Sequence, residues 1–352
     1  MHLRSVVLQH FRSYTQKKFD FPTDMTVIVG PNTAGKTNLI ESIMLLSTGK
    51  SFRAEKDMQM IAFDHDVAHV QGLVEENGEK TKLEVTIAYG ETAGGRFLKK
   101  FAVNGVGKSR NQFIGSLPAV LFRPEELDVI VDGPSLRRNF LDNILEPIDL
   151  SYREAKLVYD KALRQRNALL DTVRETGIRN EEQFAYWDNL LITNGQLLTK
   201  KREELIERIN VLPKEIFPFT IYYDKSVMSE ERLLQYKHAE IGSAMTLVGP
   251  QRDDFYCTMS TRFGEQNVSE FGSRGQQRLV ILQLKLLHMA IVAQTTGKSP
   301  LLVLDDIFSE LDESHIHLVL EKVDGGQIIL TTTHKEFISS LSQDASVIEL
   351  KR

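Results

Sequence analysis

The sequence predicts an α/β fold with a mixed-sheet core, an antiparallel β subdomain and an inserted, mainly helical arm. Three observations carry that reading. Short apolar runs ending at a glycine or an acid lie near both ends, at Met25–Val29 and Leu301–Leu304. Strand-like segments with a hairpin signal fill 68–105. Two long charged helical stretches occupy the middle, near 151–175 and 182–211.

Taken in order, Leu3–Leu8 and Met25–Val29 read as strands, the second ending at Gly30. Thr37–Leu46 then places apolar residues at 39, 40, 43 and 44 or 46, the spacing of one helix face. Strand character returns at His69–Val74, Thr81–Tyr89 and Phe97–Val103, where Asn104-Gly105 signals a tight hairpin turn. In the middle, charges of both signs mix as on solvated helix faces, with a polar loop around 176–180 between the helices. Pro213 and Pro218 precede a strand-like run, Phe219–Tyr223. Beyond it, Ile241–Val248, Phe255–Ser260, Leu301–Leu304 and Gln327–Thr332 read as strands, with a helix from Gln276. The expected division is 1–126 for the first half of the core with the β subdomain, 127–238 for the arm, and 239–352 for the second half of the core.

The 352 residues are 41% hydrophobic and 26% charged, the balance of a globular chain with a sizeable core. The single cysteine, Cys257, excludes an intramolecular disulfide and fits a reducing compartment. The first apolar run is too short for a signal peptide, and the most apolar long segment, 279–293, is broken by Gln283, Lys285 and His288. A cytoplasmic location is therefore expected. A net charge of -5 argues against a wholly basic nucleic-acid coat protein but allows local basic patches. Lys17 and Lys18, Arg137 and Arg138, and Lys200–Arg202 are the candidate phosphate contacts, each weighed against a solvated face or loop.

The clearest motif is Gly30-Pro31-Asn32-Thr33-Ala34-Gly35-Lys36-Thr37, a complete G-x-x-x-x-G-K-[ST] loop between a buried strand and a helix. Its backbone N–H groups and the helix N-terminus cradle phosphate oxygens. In that reading Lys36 reaches the outer phosphates of ATP and the Thr37 hydroxyl ligates Mg²⁺. Gly105–Ser109 is a decoy, because a second such loop needs glycine at the position of Ala102. The second motif is the strand Leu301–Leu304 followed by Asp305 and Asp306, which puts carboxylates at the sheet edge where ligands gather. Asp305 is expected to hold Mg²⁺, usually through water, and Asp306 to polarise the attacking water.

Ser273-Arg274-Gly275-Gln276 opens a helix about thirty residues before the acid pair. Ser273 and Gln276 form a capping box on one reading. On the other they belong to an ABC signature, in which Ser273, Gly275 and Gln276 aim a helix N-terminus at phosphate. Ser309-Glu310-Leu311-Asp312 resembles the D-loop of ABC ATPases, and His334, after Thr331–Thr333, resembles their switch histidine. The order of these motifs predicts an ABC-type P-loop ATPase head. His65 and His69 lie in loop and strand, His315 and His317 do not share a helix face, and Cys257 reads as a buried strand residue.

Longer stretches carry a family resemblance. Leu8–Tyr14, Gly30–Asn38, Gly49–Arg53, Phe122–Leu127, Gly133–Asp142, Gly249–Asp254, Ser273–Arg278 and Leu304–Asp312 together resemble the RecF family over essentially the whole chain. Gln251 departs from the family, which more often has histidine there. The resemblance implies an SMC-like head with a short helical arm, and adds Arg12 and Asn38 to the nucleotide-binding residues. It implies an ATP-dependent homodimer, slow ATP hydrolysis with Lys36, Asp306 and His334 as catalytic residues, and binding of DNA, double-stranded and at gaps or junctions. RecO and RecR are the implied partners, for loading RecA in recombinational repair. The alternative is the ATPase subunit of a membrane transporter, which a long, mainly helical insertion fits poorly.

Overall fold

Backbone hydrogen bonds sort the strands among the described residues into three sheets. The structure, a computed structural model, describes residues 1–90, 97–307, 320–321, 326–333 and 345–351, apart from the Leu127 side chain. The chain begins β1 (His2–Phe11), β2 (Tyr14–Asp20), β3 (Met25–Val29), α1 (Lys36–Thr48), β4 (Val67–Glu76), β5 (Glu79–Ala88), β6 (Leu98–Val103), β7 (Val106–Lys108), α2 (Arg110–Phe113) and β8 (Ala119–Phe122). Then come α3 (Asp128–Val131), α4 (Pro134–Ile148), α5 (Leu150–Thr176), α6 (Glu181–Val211), β9 (Thr220–Asp224), α7 (Glu230–Ser243), β10 (Asp254–Thr261), β11 (Gly264–Asn267) and α8 (Val268–Phe271). It ends α9 (Arg274–Thr296), β12 (Leu301–Asp305), β13 (Ile328–Thr332) and β14 (Ser346–Glu349). Two compact units result, Met1–Glu126 with Leu284–Arg352, and Leu127–Gln283.

In the first unit, a six-stranded antiparallel sheet runs β2-β1-β4-β5-β6-β7 and a five-stranded parallel sheet runs β14-β3-β13-β12-β8. Helix α1 contacts strands of both sheets, β4 and β5 of one, β12 and β8 of the other. It is apolar nearly all round, as a helix enclosed on every side must be, with Leu39, Ile40, Ile43, Leu45 and Leu46 fully buried. Gly72 on β4 makes this approach feasible, since a Cβ there would lie 2.7 Å from Leu46 Cδ1. Asn104-Gly105 forms the two-residue turn between β6 and β7, both at positive φ. In the parallel sheet β13 lies between β3 and β12, pairing Thr332 with Val29 and Thr331 with Asp305. That register brings the ends of β3 and β12 to one sheet edge, one strand apart.

In the second unit, α5 and α6 pack along one another. Asp149 caps α5 through the Tyr152 N–H, Gly177 ends it in a left-handed conformation, and Asn180 caps α6 through the Gln183 N–H. Strands β11-β10-β9 form a separate sheet. Two points differ from the sequence reading. Ile241–Val248 is not a strand: Ser229 caps a helix that runs through Ile241 to Ser243, and Ala244 ends it at positive φ. The second unit also runs past 238 to Gln283, because β9 finds its ladder partner in β10, beyond that boundary. Helix α9 is long and apolar enough to cross a bilayer, but its Val280, Ile281, Leu284 and Ile291 are buried inside the protein.

The interior of this unit also takes up three of the candidate phosphate contacts. Arg137 grips Asp254 through Nε and Nη2 at 2.6 and 2.9 Å, and Arg138 donates to the Asp253 carbonyl at 2.8 Å. Arg202, 3% exposed, sits between Asp142 at 2.8 Å and Asp253 at 3.2 Å. Asp253 further accepts from the Ser226 N–H and the Tyr223 hydroxyl. The motifs 133–142 and 249–254 thus meet in one internal ionic cluster, and Arg137, Arg138 and Arg202 are committed to it. Lys201 pairs with Asp149, whereas Lys200 stays at the surface.

Candidate functional site

The turn from β3 into α1 is built to leave donors unspent. Gly35, at φ 98, precedes α1 without a side-chain cap, and the first turn carries no acid to occupy the free N–H groups. Gly35 is required twice over: the left-handed backbone favours it, and a Cβ would lie 2.6 Å from the Tyr14 hydroxyl. Thr33 is also left-handed, at φ 73. Alternating left- and right-handed residues point successive N–H groups into a concavity, the geometry that binds anions. Pro31, Asn32 and Thr33 are exposed, with Ala34 half-buried behind them. Lys36, 7% exposed, donates from Nζ to the Gly30 carbonyl at 2.7 Å and the Pro31 carbonyl at 3.2 Å. Burial lowers its pKa, against the opposing pull of Asp306 and Asp305.

At the end of β12, Asp305 is buried and accepts from the Thr331 hydroxyl at 2.6 Å. Burial pushes the Asp305 pKa up, and the Thr331 hydrogen bond and the nearby Thr37 hydroxyl oppose the shift. The Thr331 oxygen in turn accepts from the Asp306 N–H at 3.0 Å, tying the two acids to β13. Asp306 sits at φ 53, left-handed backbone that aspartate tolerates better than most residues. Lys36, Thr37, Asp305 and Asp306 therefore converge on one edge of the parallel sheet. A cradle of free N–H groups, a lysine, a hydroxyl and two carboxylates is the equipment to hold a polyphosphate with a divalent cation.

Beside this edge lies an open cleft of about 950 Å³, lined among others by Arg12, Ser13, Asn38, Arg53, Lys56 and Phe63. Arg12, at φ 52 between β1 and β2, clamps Glu41 of α1 through Nε at 2.8 Å and Nη2 at 2.7 Å. Arg53 reaches the same carboxylate from the loop after α1, through Nε at 3.0 Å, and also donates to the Asn38 amide oxygen. Asn38 closes the ring by donating to Ser13 Oγ at 2.7 Å. A second cavity of about 620 Å³ borders Gly30, Pro31, Thr333 and Leu350.

Ser273, Gly275 and Gln276 belong to the second unit, where both readings of that motif meet one geometry. Ser273 Oγ accepts from the Gln276 N–H at 3.3 Å, and Gln276 Oε1 accepts from the Ser273 N–H at 2.8 Å, a closed capping box. Ser273 and Gly275 are exposed, and a Cβ at Gly275 would meet nothing nearer than 3.9 Å. His334 and Ser309–Asp312 fall outside the described residues. Cys257 is buried in β10, its thiol pushed up to about 12 by burial. Among the described residues no cluster of histidine, cysteine and acids has metal-site grouping.

Sequence reasoning did not single out Glu41, and it named Tyr14 and Thr331 only as ends of motif stretches. Glu41 alone carried a signal: it is a lone acid inside the apolar run Leu39–Leu46, and a buried acid calls for cations.

Comparison with known proteins agrees with the geometry. Residues 2–351 match the family described as the RecF/RecN/SMC N terminal domain. The DNA replication and repair protein RecF of Thermosynechococcus vestitus is 34% identical over 374 residues, spanning 99% of this chain and 96% of its own. RecF of Moorella thermoacetica is 33% identical over 365 residues, spanning 100% and 95%. The solved structure of the recombination mediator protein RecF-ATPrS in the RecFOR pathway matches with a TM-score of 0.87 at 31% identity, over 99% of this chain and 96% of that one. An SMC head bound to the C-winged helix domain of ScpA, at 15% identity over 100% of this chain and 95% of that one, has a TM-score of 0.51, a likeness of fold alone. Full-length identity at this level, on an ABC-type head of parallel and antiparallel sheets with a helical insertion, establishes that the chain belongs to the RecF family.

Proposed function

We propose that this chain is an ATP-driven DNA clamp of recombinational repair, closing as a homodimer when ATP binds. The observation that carries the reading is the convergence of the uncapped α1 N-terminus and Lys36 with the hydrogen-bonded Asp305–Thr331 pair and the Thr37 hydroxyl beside it. ATP bound there supplies the phosphoanhydride bond to be cleaved, and Mg²⁺ offsets phosphate charge. Asn32, Thr33, Gly35 and the first turn of α1 donate backbone N–H groups, and Lys36 exchanges loop carbonyls for outer phosphate oxygens. Thr37 and Asp305 would hold that Mg²⁺. Asp306, held at φ 53 and close enough to Lys36 to oppose the fall that burial imposes on its pKa, accepts a hydrogen bond from water and orients it. Arg12 and Asn38 line the cleft beside that cradle and complete the nucleotide-binding set.

Ser273, Gly275 and Gln276 act on nucleotide held by the partner copy, since their helix N-terminus is exposed and polarised to receive an anion. His334 completes the catalytic set. DNA is held by the closed dimer, with RecO and RecR as partners in loading RecA at gaps. The solved relatives named RecF-ATPrS and RecF-ATP of the RecFOR pathway support this reading, and nothing in the site favours a transporter.

The test is DNA retention with ATP, ADP or no nucleotide, with light scattering to follow oligomeric state. ATP alone should produce both the dimer and DNA retention. A monomer that holds DNA equally in all three conditions would overturn the clamp.

A further inference from the structure

The Glu41 carboxylate is fully buried, and two other segments of the first unit close on it. Arg12 comes from the β1–β2 turn, Ser51 and Arg53 from the loop after α1, and Glu41 itself from α1. Its Oε1 accepts from Arg12 Nη2 at 2.7 Å and Ser51 Oγ at 2.5 Å. Its Oε2 accepts from Arg12 Nε at 2.8 Å and Arg53 Nε at 3.0 Å. Burial pushes this carboxyl up, but the hydrogen bonds from Arg12, Ser51 and Arg53 outweigh it and hold the group below its ordinary value.

Neutralising a buried acid needs one cation, and here there are two. Two guanidiniums against one carboxylate leave the cluster cationic. Both line the cleft beside the α1 N-terminus, and Arg53 remains 33% exposed. Like charges this close separate unless a shared counter-charge holds them. Glu41 supplies that charge, and Ser51 fixes the loop by accepting the Arg53 and Ala54 N–H groups at 3.1 and 2.8 Å.

We propose that Glu41 is a positioning residue for nucleotide binding, holding Arg12 and Arg53 as a preset cationic wall for the anionic part of the ligand. The proposal rests on the nucleotide reading above. It makes the loop after α1 part of the site, joined to α1 through a carboxylate that never touches the ligand. Preset donors bind an anion more tightly because they need no ordering when it arrives.

The test is calorimetric titration of the full chain with ATP, for wild type, Glu41→Gln, Arg53→Ala and the double variant, each first shown to be folded by urea titration. Glu41→Gln should weaken ATP binding by about tenfold or more, the scale of one lost charge-assisted hydrogen bond. The double variant should bind no more weakly than the worse single variant, because the residues act as one unit. A folded Glu41→Gln chain with wild-type affinity overturns the proposal, and so do strictly additive losses. If Glu41→Gln does not fold, Ser51→Ala keeps every charge while releasing the loop. It should lower affinity severalfold, and unchanged affinity overturns the proposal equally. A wild-type chain that binds no ATP sinks the nucleotide reading itself, a separate outcome.

Discussion

Arg202 and Asp253 meet at 3.2 Å with their side chains 3% and 0% exposed, an ion pair wholly inside the second unit. Removing Asp253 leaves Arg202 with Asp142 as its counter-charge and takes the acceptor from the Tyr223 hydroxyl and the Ser226 N–H. Asp253→Ala should therefore destabilise the fold by about 3–5 kcal/mol in urea unfolding. Variants of Arg137, Arg138 or Arg202 should lose DNA binding only in proportion to lost folded protein. Weaker DNA binding by a fully folded variant would return these arginines to the DNA surface.

Asp142 gives the fold a pH signature. Burial raises its pKa, but Arg202, Lys156 and the Tyr152 hydroxyl prevail and hold it below the ordinary carboxylate range. A carboxyl depressed in the folded state stabilises above its unfolded pKa, and the contribution is lost as pH falls through the folded value. Wild-type urea midpoints should fall steeply once pH drops below about 4. Asp142→Asn should be less stable at neutral pH and lose less over that acid window. Parallel midpoint curves would show that Asp142 is not the group responsible.

Lys36→Ala should abolish ATP binding in equilibrium dialysis, because the loop loses the cation that Gly30 and Pro31 hold in place. Lys36→Arg should rescue it poorly, since a planar fork does not fit where a compact ammonium sits. Near-normal affinity in the alanine variant would contradict the loop's assigned role.

Asp306→Asn separates chemistry from conformation. Asparagine tolerates the left-handed backbone that Asp306 adopts, so folding and ATP binding should persist while steady-state hydrolysis collapses and an ATP-bound dimer accumulates. Phosphate release at the wild-type rate would remove Asp306 from catalysis.

Ser273 has two roles that two substitutions distinguish. Ser273→Ala loses the cap to Gln276 and should cost about 1 kcal/mol of stability. Ser273→Arg adds a long charged side chain to an exposed helix end, and should leave ATP binding intact while blocking ATP-dependent dimerisation. Sedimentation with and without ATP decides the matter; a wild-type dimer in Ser273→Arg would leave only the cap.

Much of this fold was legible because its signals are local. The polar loop around 176–180 marks the break between the two long helices, and Asn104-Gly105 marks its own turn. Ile241–Val248 misled because its apolar residues suit a strand, whereas the Ser229 cap and the Glu240–Arg166 ion pair hold its start in a helix. The P-loop and the acid pair were readable since each is contiguous. Glu41, Arg12 and Arg53 were not readable as a unit, because their pairing spans 29 and 12 positions and depends on where folding puts the β1–β2 turn. The arginines weighed for DNA show the same limit: charge is visible in a sequence, but its partner is not.

Strand β2 has a consequence for how copies of this chain behave when crowded. It forms one edge of the six-stranded sheet, with Lys17 and Lys18 exposed in succession on its two faces. A second copy adding its own β2 antiparallel there, about a centre between these residues, would bring lysine opposite lysine on both faces, and like charges directly opposite oppose pairing. Consecutive lysines thus guard an open edge against runaway strand addition and the insoluble fibres it seeds.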